Sequence, residues 1–286
     1  MKKLIVWLMI AGLITGFIGF FIKSKDIAQN ESILMNPVRK TFSSDSIGVI
    51  ELNGVISYDS QGYFERTSTA GSLIRDFKYF TSTNVKAVVL RINSPGGSIG
   101  AVQEVCYAMQ KYRDNGGKIV ASFKDISASG GYYISCFADS IIANPGTLTG
   151  SIGVIMSMPN VSELFEKLGI KYNTVKSGKF KDIGNLSREM SEEEFALLQT
   201  TVDDSYEQFV DAVSKGRNLS VEEVKKIADG RIFTGRQAKE IGLVDELGGF
   251  DIAFEKAKTL ANIKGKGNIV YANTKKTLLD YVNELN

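Results

Sequence analysis

Residues 86–97 read KAVVLRINSPGG, an apolar run rich in β-branched side chains that stops at a proline and two glycines. Such a run predicts a strand that is buried on both faces, as strands of parallel sheets are. Residues 118–123 and 140–143 repeat the pattern, and residues 99–113 show helical spacing. This order, with short links, predicts βαβ units and a mostly parallel sheet under helices.

The alternation of strand-like and helix-like segments is expected on both sides of this stretch. Residues 46–56 predict the first strand and residues 129–137 a helix. Residues 153–156, 162–168 and 172–175 are expected to continue the alternation towards the C-terminus.

The pattern becomes mainly helical from Ser191. Ser191 and Glu194 have the spacing of a capping box. Apolar residues then recur on one face of a long predicted helix; they are Phe195, Leu198, Val202, Phe209 and Val213. Further helices are predicted over residues 221–228, 236–241 and 252–261, followed from residue 268 by a short strand and a small amphipathic segment.

The N-terminal region carries an uncharged stretch, residues 4–22, bounded by lysines. As a helix it would extend about 28 Å, enough to cross a bilayer core, and it has no polar face. A cleaved signal peptide is the alternative, but the stretch exceeds a usual h-region and no A-x-A-like site follows. We therefore expect an uncleaved, single-pass anchor in the cell membrane, with the remaining chain outside the cytoplasm.

These patterns divide the chain into an anchor (1–22), a linker (23–45), a folded domain (46–263) and a C-terminal tail (264–286). The formal net charge is only +2, which argues against a nucleic-acid partner.

Two cysteines, Cys106 and Cys136, are present in the chain. They could pair in an oxidising compartment, but buried thiols in two helices are the commoner arrangement.

The chain contains no histidine, which excludes a Ser-His-Asp triad and histidine-containing zinc sites. Yet residues 127–133 (SASGGYY) place Ser129 before two glycines at the expected start of a helix. Free backbone N–H groups there favour negative charge, although an N-cap serine explains the same position. If Ser129 is a nucleophile, its base must be a lysine, a carboxylate or an amine.

Two other motifs each allow a functional and a purely structural explanation. The glycines of residues 94–97 (SPGG) would let a bound carbonyl approach a backbone N–H, or they simply end a strand. The lysines of residues 176–182 (KSGKFKD) are ordinary solvated lysines, or one of them is a base that burial keeps neutral.

Taken together, the motifs resemble the signal peptide peptidase A family, membrane-anchored Ser/Lys proteases with a fold like that of the Clp protease and crotonase. The resemblance covers roughly residues 46–260. The matching segments are residues 94–97 (SPGG), 128–133 (ASGGYY), 148–154 (LTGSIGV), 177–182 (SGKFKD), 187–190 (SREM) and 228–231 (ADGR).

The resemblance implies that Ser129 is the nucleophile and Lys181 the general base. It places oxyanion donors on the backbones of Gly97 and Gly130, and it makes Ser151 the residue that orients the lysine amine.

From the residues alone, Ser151 stays a rival nucleophile and Lys179 a rival base. Asp182 is expected to support the loop rather than to catalyse.

The resemblance also implies an α/β, crotonase/Clp protease-like fold with a helical C-terminal part, and no metal or cofactor. It implies a ring- or dome-shaped homo-oligomer that cleaves remnant signal peptides and other unfolded, apolar peptides. Longer members of the family are tandem duplications, whereas this chain holds one copy of the domain. Since that copy contains both Ser129 and Lys181, the dyad can in principle form within one protomer.

Three alternatives remain at this point. The first is a related protease that cleaves membrane-associated regulatory proteins. The second is a crotonase-type acyl-CoA enzyme. The predicted anchor and the lysine-rich segment 176–182 argue against it. The third is a non-catalytic membrane scaffold, in which replacing Ser129 would have no effect.

Overall fold

The computed structural model describes residues 42–43, 45–58, 69–83 and 85–272. The predicted anchor and the predicted amphipathic segment of the tail lie outside these residues. Within the described part of the chain, no helix is both long and apolar enough to cross a membrane.

The described residues form eight strands and eight helices. The strands are β1 (Ser46–Asn53), β2 (Ala87–Ser94), β3 (Lys118–Ala128), β4 (Ser140–Ala143), β5 (Leu148–Gly150), β6 (Ile232–Thr234), β7 (Glu246–Leu247) and β8 (Asn268–Tyr271). The helices are α1 (Ala70–Ser82), α2 (Ile99–Asp114), α3 (Gly130–Ser135), α4 (Ser162–Lys167), α5 (Glu192–Arg217), α6 (Val221–Lys225), α7 (Gly235–Glu240) and α8 (Phe250–Leu260).

One mixed sheet contains all of these strands, in the order β6-β5-β3-β2-β1-β8; off this path, β4 pairs with β3, and β7 pairs with β4. Neighbouring strands are parallel except for β5 and β6. Strand β3 is long enough to pair with β4 through residues 120–123 and with β5 through residues 126–128. The predicted α/β fold with a mostly parallel sheet is confirmed.

The side chains of β2 alternate between the two faces of the sheet. Val88 and Leu90 belong to the larger core cluster, which includes buried residues of α1 and α2. Val89 belongs to the smaller cluster with Ala253 and Ala257 of α8. Burial on both faces explains why four consecutive residues, 87–90, are apolar.

The predicted elements at residues 153–156 and 172–175 are wrong, because neither segment is a helix or a strand. Strand β5 lies just before the first segment, and β6 occupies its outer edge. Ile155 and Val175 are 89% and 102% exposed, so these apolar side chains have no buried surface to pack against within one chain.

Helix α5 begins with the predicted capping box. The Ser191 hydroxyl accepts a hydrogen bond from the Glu194 N–H at 3.2 Å, and the Ser191 N–H donates to the Glu194 carboxylate at 2.9 Å. Its C-terminal half packs on the core through Phe209 and Val213, as predicted. Phe195 is 63% exposed, contrary to prediction, because the core clusters reach only Tyr206 and later residues of α5.

Cys106 and Cys136 are both free thiols, and both are buried. Cys136 Sγ donates to the carbonyl oxygen of Tyr132 at 3.3 Å. Burial raises the pKa of the Cys106 thiol and raises that of Cys136 to about 12. The thiols are therefore buried and unpaired, as in the commoner of the two predicted arrangements, but only Cys106 is within a helix, and Cys136 directly follows α3.

Candidate active site

Ser129 lies between the end of β3 and the start of α3, with φ 50° and ψ −122°. A non-glycine residue at positive φ stores about 1–3 kcal/mol of strain, which the surroundings must offset. Here the Ser129 carbonyl oxygen accepts a hydrogen bond from the Tyr133 N–H at 2.9 Å. The Ser129 hydroxyl makes no capping hydrogen bond to α3 among the described residues. The N-cap explanation of this serine is therefore wrong.

Three glycines pack closely around Ser129, and two of them, Gly97 and Gly130, have N–H groups that the sequence predicts to be oxyanion donors. A Cβ atom on Gly96 would lie 2.7 Å from the Gly130 nitrogen and 3.1 Å from Ser129 Oγ, and Gly96 has φ +108°. A Cβ atom on Gly130 would lie 3.2 Å from the Gly97 nitrogen. The Gly130 N–H is in the first turn of α3, where helix N–H groups have no partner within the helix. Both predicted oxyanion donors therefore lie beside Ser129.

Ser151 lies just after β5, also at positive φ (49°). Its N–H donates to the Arg231 carbonyl at 2.8 Å, and the Gly230 N–H donates to the Ile152 carbonyl at 3.0 Å. Residues 228–231, one of the sequence motifs, therefore hold the Ser151 loop in place. Ser151 lines the same cavity as Ser129.

A cavity of about 740 Å³ opens in front of Ser129. Its lining comes from residues 95–102, 129–133, 151–156, 201–209 and 228–230. Much of the wall is apolar. Its apolar and aromatic residues include Val102, Tyr133, Val202, Tyr206, Phe209 and Ala228. The ring centroids of Tyr133 and Phe209 are 4.9 Å apart, and burial raises the pKa of the Tyr133 phenol.

The contribution of α5 to this cavity was not predicted. Sequence periodicity identified Val202 and Phe209 only as core-facing positions, and both of them line the cavity. Their helical spacing was the signal, but it does not distinguish a cavity wall from a core.

Lys181 does not share this cavity with Ser129. Its side chain is exposed, and no residue between 157 and 200 is among the described residues that line the cavity. The structure therefore brings together Ser129, Gly97, Gly130 and Ser151, but not the predicted base.

The two candidate lysines differ in their partners. Lys179 forms an ion pair with Glu193, so its amine already has a partner. In residues 42–43, 45–58, 69–83 and 85–272, no carboxylate forms an ion pair with Lys181. This contrast, which sequence motifs do not contain, favours Lys181 over Lys179 as a base.

In the part of the chain that the structure describes, no group of three or more Cys, Asp or Glu side chains is placed to hold a metal ion.

Comparison with known proteins identifies the chain's family. The sequence model described as Peptidase family S49 matches residues 111–264, a segment that includes Ser129, Ser151 and Lys181. The chain belongs to peptidase family S49. It is therefore a peptidase, and a serine nucleophile fits this family.

Three similar proteins show how much of the chain has known relatives. A provisionally named protease of Synechocystis sp. is 45% identical over 78% of this chain and 77% of its own. A provisionally named signal peptide peptidase SppA of Enterococcus faecium is 40% identical over 81% of this chain and 68% of its own. Protease 4 of Salmonella typhi is 37% identical over 83% of this chain but only 38% of its own. The predicted resemblance to the signal peptide peptidase A family is confirmed.

Proposed function

We propose that this S49 peptidase is a serine endopeptidase in which Ser129 and Lys181 form a catalytic dyad. One observation carries the proposal. The Ser129 hydroxyl, which makes no helix-capping hydrogen bond among the described residues, lines a cavity beside the Gly97 and Gly130 N–H groups. A serine held this way at positive φ has the exposure and the anion-stabilising neighbours that acyl transfer requires.

In the first half of the reaction, Ser129 Oγ attacks the scissile carbonyl carbon and its proton passes to neutral Lys181 Nζ. The carbonyl oxygen becomes negatively charged and accepts hydrogen bonds from the Gly97 and Gly130 N–H groups. The C–N bond then breaks, and the lysine ammonium returns the proton to the leaving amine. The product of this half is an ester between Ser129 and the acyl part of the peptide.

In the second half, a water molecule attacks the ester carbonyl while Lys181 Nζ takes one of its protons. The bond to Ser129 Oγ breaks, the lysine returns the proton to that oxygen, and the carboxylic acid product leaves. Ser151 orients the lysine amine through a hydrogen bond, the third role that a nucleophile–base pair needs.

The exposed surface around Lys181 supports assembly with a second copy. Large apolar side chains are exposed around the segment that carries it; they are Ile155, Leu168, Ile170, Tyr172, Val175 and Phe195. Exposed apolar surface of this extent indicates a protein contact. We propose that a neighbouring copy covers this segment in a homo-oligomer and that Lys181 reaches the Ser129 cavity of that neighbour in the assembled form.

The proposal extends to substrate, fold and location. Two relatives bear the names protease 4 and signal peptide peptidase SppA, which supports peptide substrates such as cleaved signal peptides and unfolded, apolar segments. The apolar cavity walls support the same substrate class. The domain at 46–263 would be a crotonase/Clp-like protease domain outside the cytoplasm. Residues 1–22 would anchor it in the membrane through the linker (23–45), and residues 264–286 would form its tail.

The test is covalent labelling of the full chain in detergent with a serine-reactive phosphonate, followed by intact mass and peptide mapping. The parent and Lys179→Ala should carry one label on Ser129. Ser129→Ala and Lys181→Ala should carry none while remaining folded and assembled. If Ser129→Ala were labelled on Ser151, Ser151 would be the nucleophile. If Lys179→Ala were the only lysine variant to lose the label, Lys179 would be the base.

A further inference from the structure

Arg188 lies between two carboxylates and donates to both as a fork. Its Nε and Nη2 atoms donate to the Asp182 carboxylate at 3.1 and 3.0 Å. Its Nη1 atom donates to the Glu194 carboxylate at 2.8 Å, and Nη2 also donates to that group. Paired bonds of this kind fix both distance and orientation.

On one side, this network holds the loop that carries Lys181. Asp182 follows Lys181 directly and is only 10% exposed, and its carboxylate also accepts from the Lys176 amine. The Lys176 amine donates in turn to the Lys179 carbonyl at 2.9 Å, so it closes the loop on itself. Most side chains between 170 and 181 are exposed. Because so little of the loop is buried, its position depends on the polar contacts of Asp182.

On the other side, the network holds the start of α5. Glu194 is 4% exposed and belongs to the capping box with Ser191. The Arg188 guanidinium beside it lowers the pKa of the Glu194 carboxyl to about 2. A buried carboxylate without a cationic partner would be strongly unfavourable, so Arg188 and Glu194 require each other.

Helix α5 connects this network to the Ser129 cavity. Glu194 is in its first turn, and residues 201–209 of the same helix line the cavity. At 1.5 Å per residue, the first lining residue is about 10 Å along the helix from Glu194. The lysine loop is therefore attached to a rigid element of the folded domain, and α5 sets where the loop lies when a neighbouring copy packs against it.

We propose that Arg188 is a positioning residue for the reaction: it fixes the Lys181 loop to the capping box of α5, so that the lysine amine has one location relative to the helix. This inference rests on the proposed Ser129–Lys181 dyad. Misplacement of a catalytic group by about 1 Å lowers a rate about 100-fold, so a base on an otherwise exposed loop needs such a contact.

The test compares Arg188→Ala, Arg188→Lys and Lys181→Ala with the parent, using the full chain in detergent. The matched control is Arg113→Ala. Arg113 is 33% exposed against 34% for Arg188, and it also pairs with a partly buried carboxylate, that of Asp139. Peptide hydrolysis is measured from pH 6 to pH 10.5, together with melting temperature and oligomeric state.

We expect Arg188→Ala to lower kcat about 100-fold at pH 8 and to change KM less than about threefold. The midpoint of the rise of activity with pH should move upward, since a lysine amine left in water holds its proton to about pH 10.4. Arg188→Lys should lower kcat about tenfold, because an ammonium group cannot form paired hydrogen bonds to both carboxylates. Arg113→Ala should keep the parent kcat and midpoint even if its melting temperature falls.

Two results would overturn the inference. One is an Arg188→Ala enzyme with parent kcat beside an inactive Lys181→Ala enzyme. The other is a fall in kcat by the same factor at every pH, with Arg113→Ala showing the same fall. That result would indicate a purely structural role for Arg188. An active Lys181→Ala enzyme would instead refute the dyad itself, so the two failures can be told apart. If Arg188→Ala does not fold, Arg188→Lys takes its place: an upward shift in the pH midpoint of its activity supports the inference, and the parent midpoint overturns it.

Discussion

The backbone N–H of Ser129 donates a 2.9 Å hydrogen bond to the carbonyl oxygen of Gly150. This bond continues the parallel pairing of β3 with β5 by one step beyond the last strand residue, Ala128. It offsets part of the strain of a serine at positive φ and prevents the chain from relaxing into an ordinary helix start. The nucleophile candidate is therefore held by the sheet rather than by its own side chain.

Gly96 is the position where a single methyl group should abolish activity. In Gly96→Ala the new Cβ would lie 2.8 Å from Ser129 Cβ and 2.7 Å from the Gly130 nitrogen, at a φ that disfavours alanine. We expect kcat/KM to fall at least about 100-fold. Gly100→Ala is the control, because nothing lies within 4 Å of its new Cβ. Equal activity of the two variants in a peptide assay would contradict the geometry.

Activity should rise with pH. A lysine base works only in its neutral form, so raising the pH increases the active fraction until the base is fully deprotonated. Lys179→Ala should keep this profile, because Lys181 is the proposed base and Lys179 is ion-paired with Glu193. A flat or falling profile of kcat/KM between pH 6 and pH 10 would count against a lysine base.

Mixing two inactive variants should restore activity. Lys181 does not line the cavity that contains Ser129 within one chain, and the apolar surface around it is exposed. If a neighbouring copy supplies the lysine, Ser129→Ala and Lys181→Ala subunits co-assembled at 1:1 would contain complete sites. We expect roughly one quarter of parent activity, from random pairing of subunits. No recovery in mixed oligomers confirmed by native mass spectrometry would indicate closure within one chain.

The two thiols should resist alkylation in the folded protein. With a pKa raised to about 12, the Cys136 thiol is about one part in 10,000 thiolate at pH 8, and only the thiolate reacts. Cys106 is also buried and its pKa is also raised. Iodoacetamide at pH 8 should modify neither residue in hours, whereas both should react fully in denaturant. Rapid modification before unfolding would show that α2 and the segment after α3 open locally.

The contact between the lysine loop and α5 should weaken in acid. Arg188 lowers the pKa of the Glu194 and Asp182 carboxyls, so their contribution to stability is complete above about pH 4.3, the ordinary value for glutamate. It is lost as the pH falls towards 2. The difference in melting temperature between the parent and Arg188→Ala should therefore be constant from pH 7 to pH 5 and shrink below pH 4. The exposed Lys215→Ala variant should show no such change.

Much of the fold could be predicted because its signals are local. The β-branched runs ending at residues 94 and 143 are short and almost continuous, and the Ser191–Glu194 spacing is a helix start in any context. Helix α1 and strands β5, β6 and β7 were not predicted. Strand β7 has two residues and β6 has three, and such strands exist only because β4 and β5 offer them an edge.

The sequence by itself determined the parallel sheet, the exclusion of histidine chemistry and the position of a serine before two glycines at a helix start. These depend on residue type and near neighbours. Tertiary structure alone decided that the Ser129 hydroxyl does not cap α3, that Gly96 leaves no room for a side chain, and that Lys179 is already paired with Glu193. Each of these is a distance between atoms that the folded backbone brings together, and no local pattern encodes it.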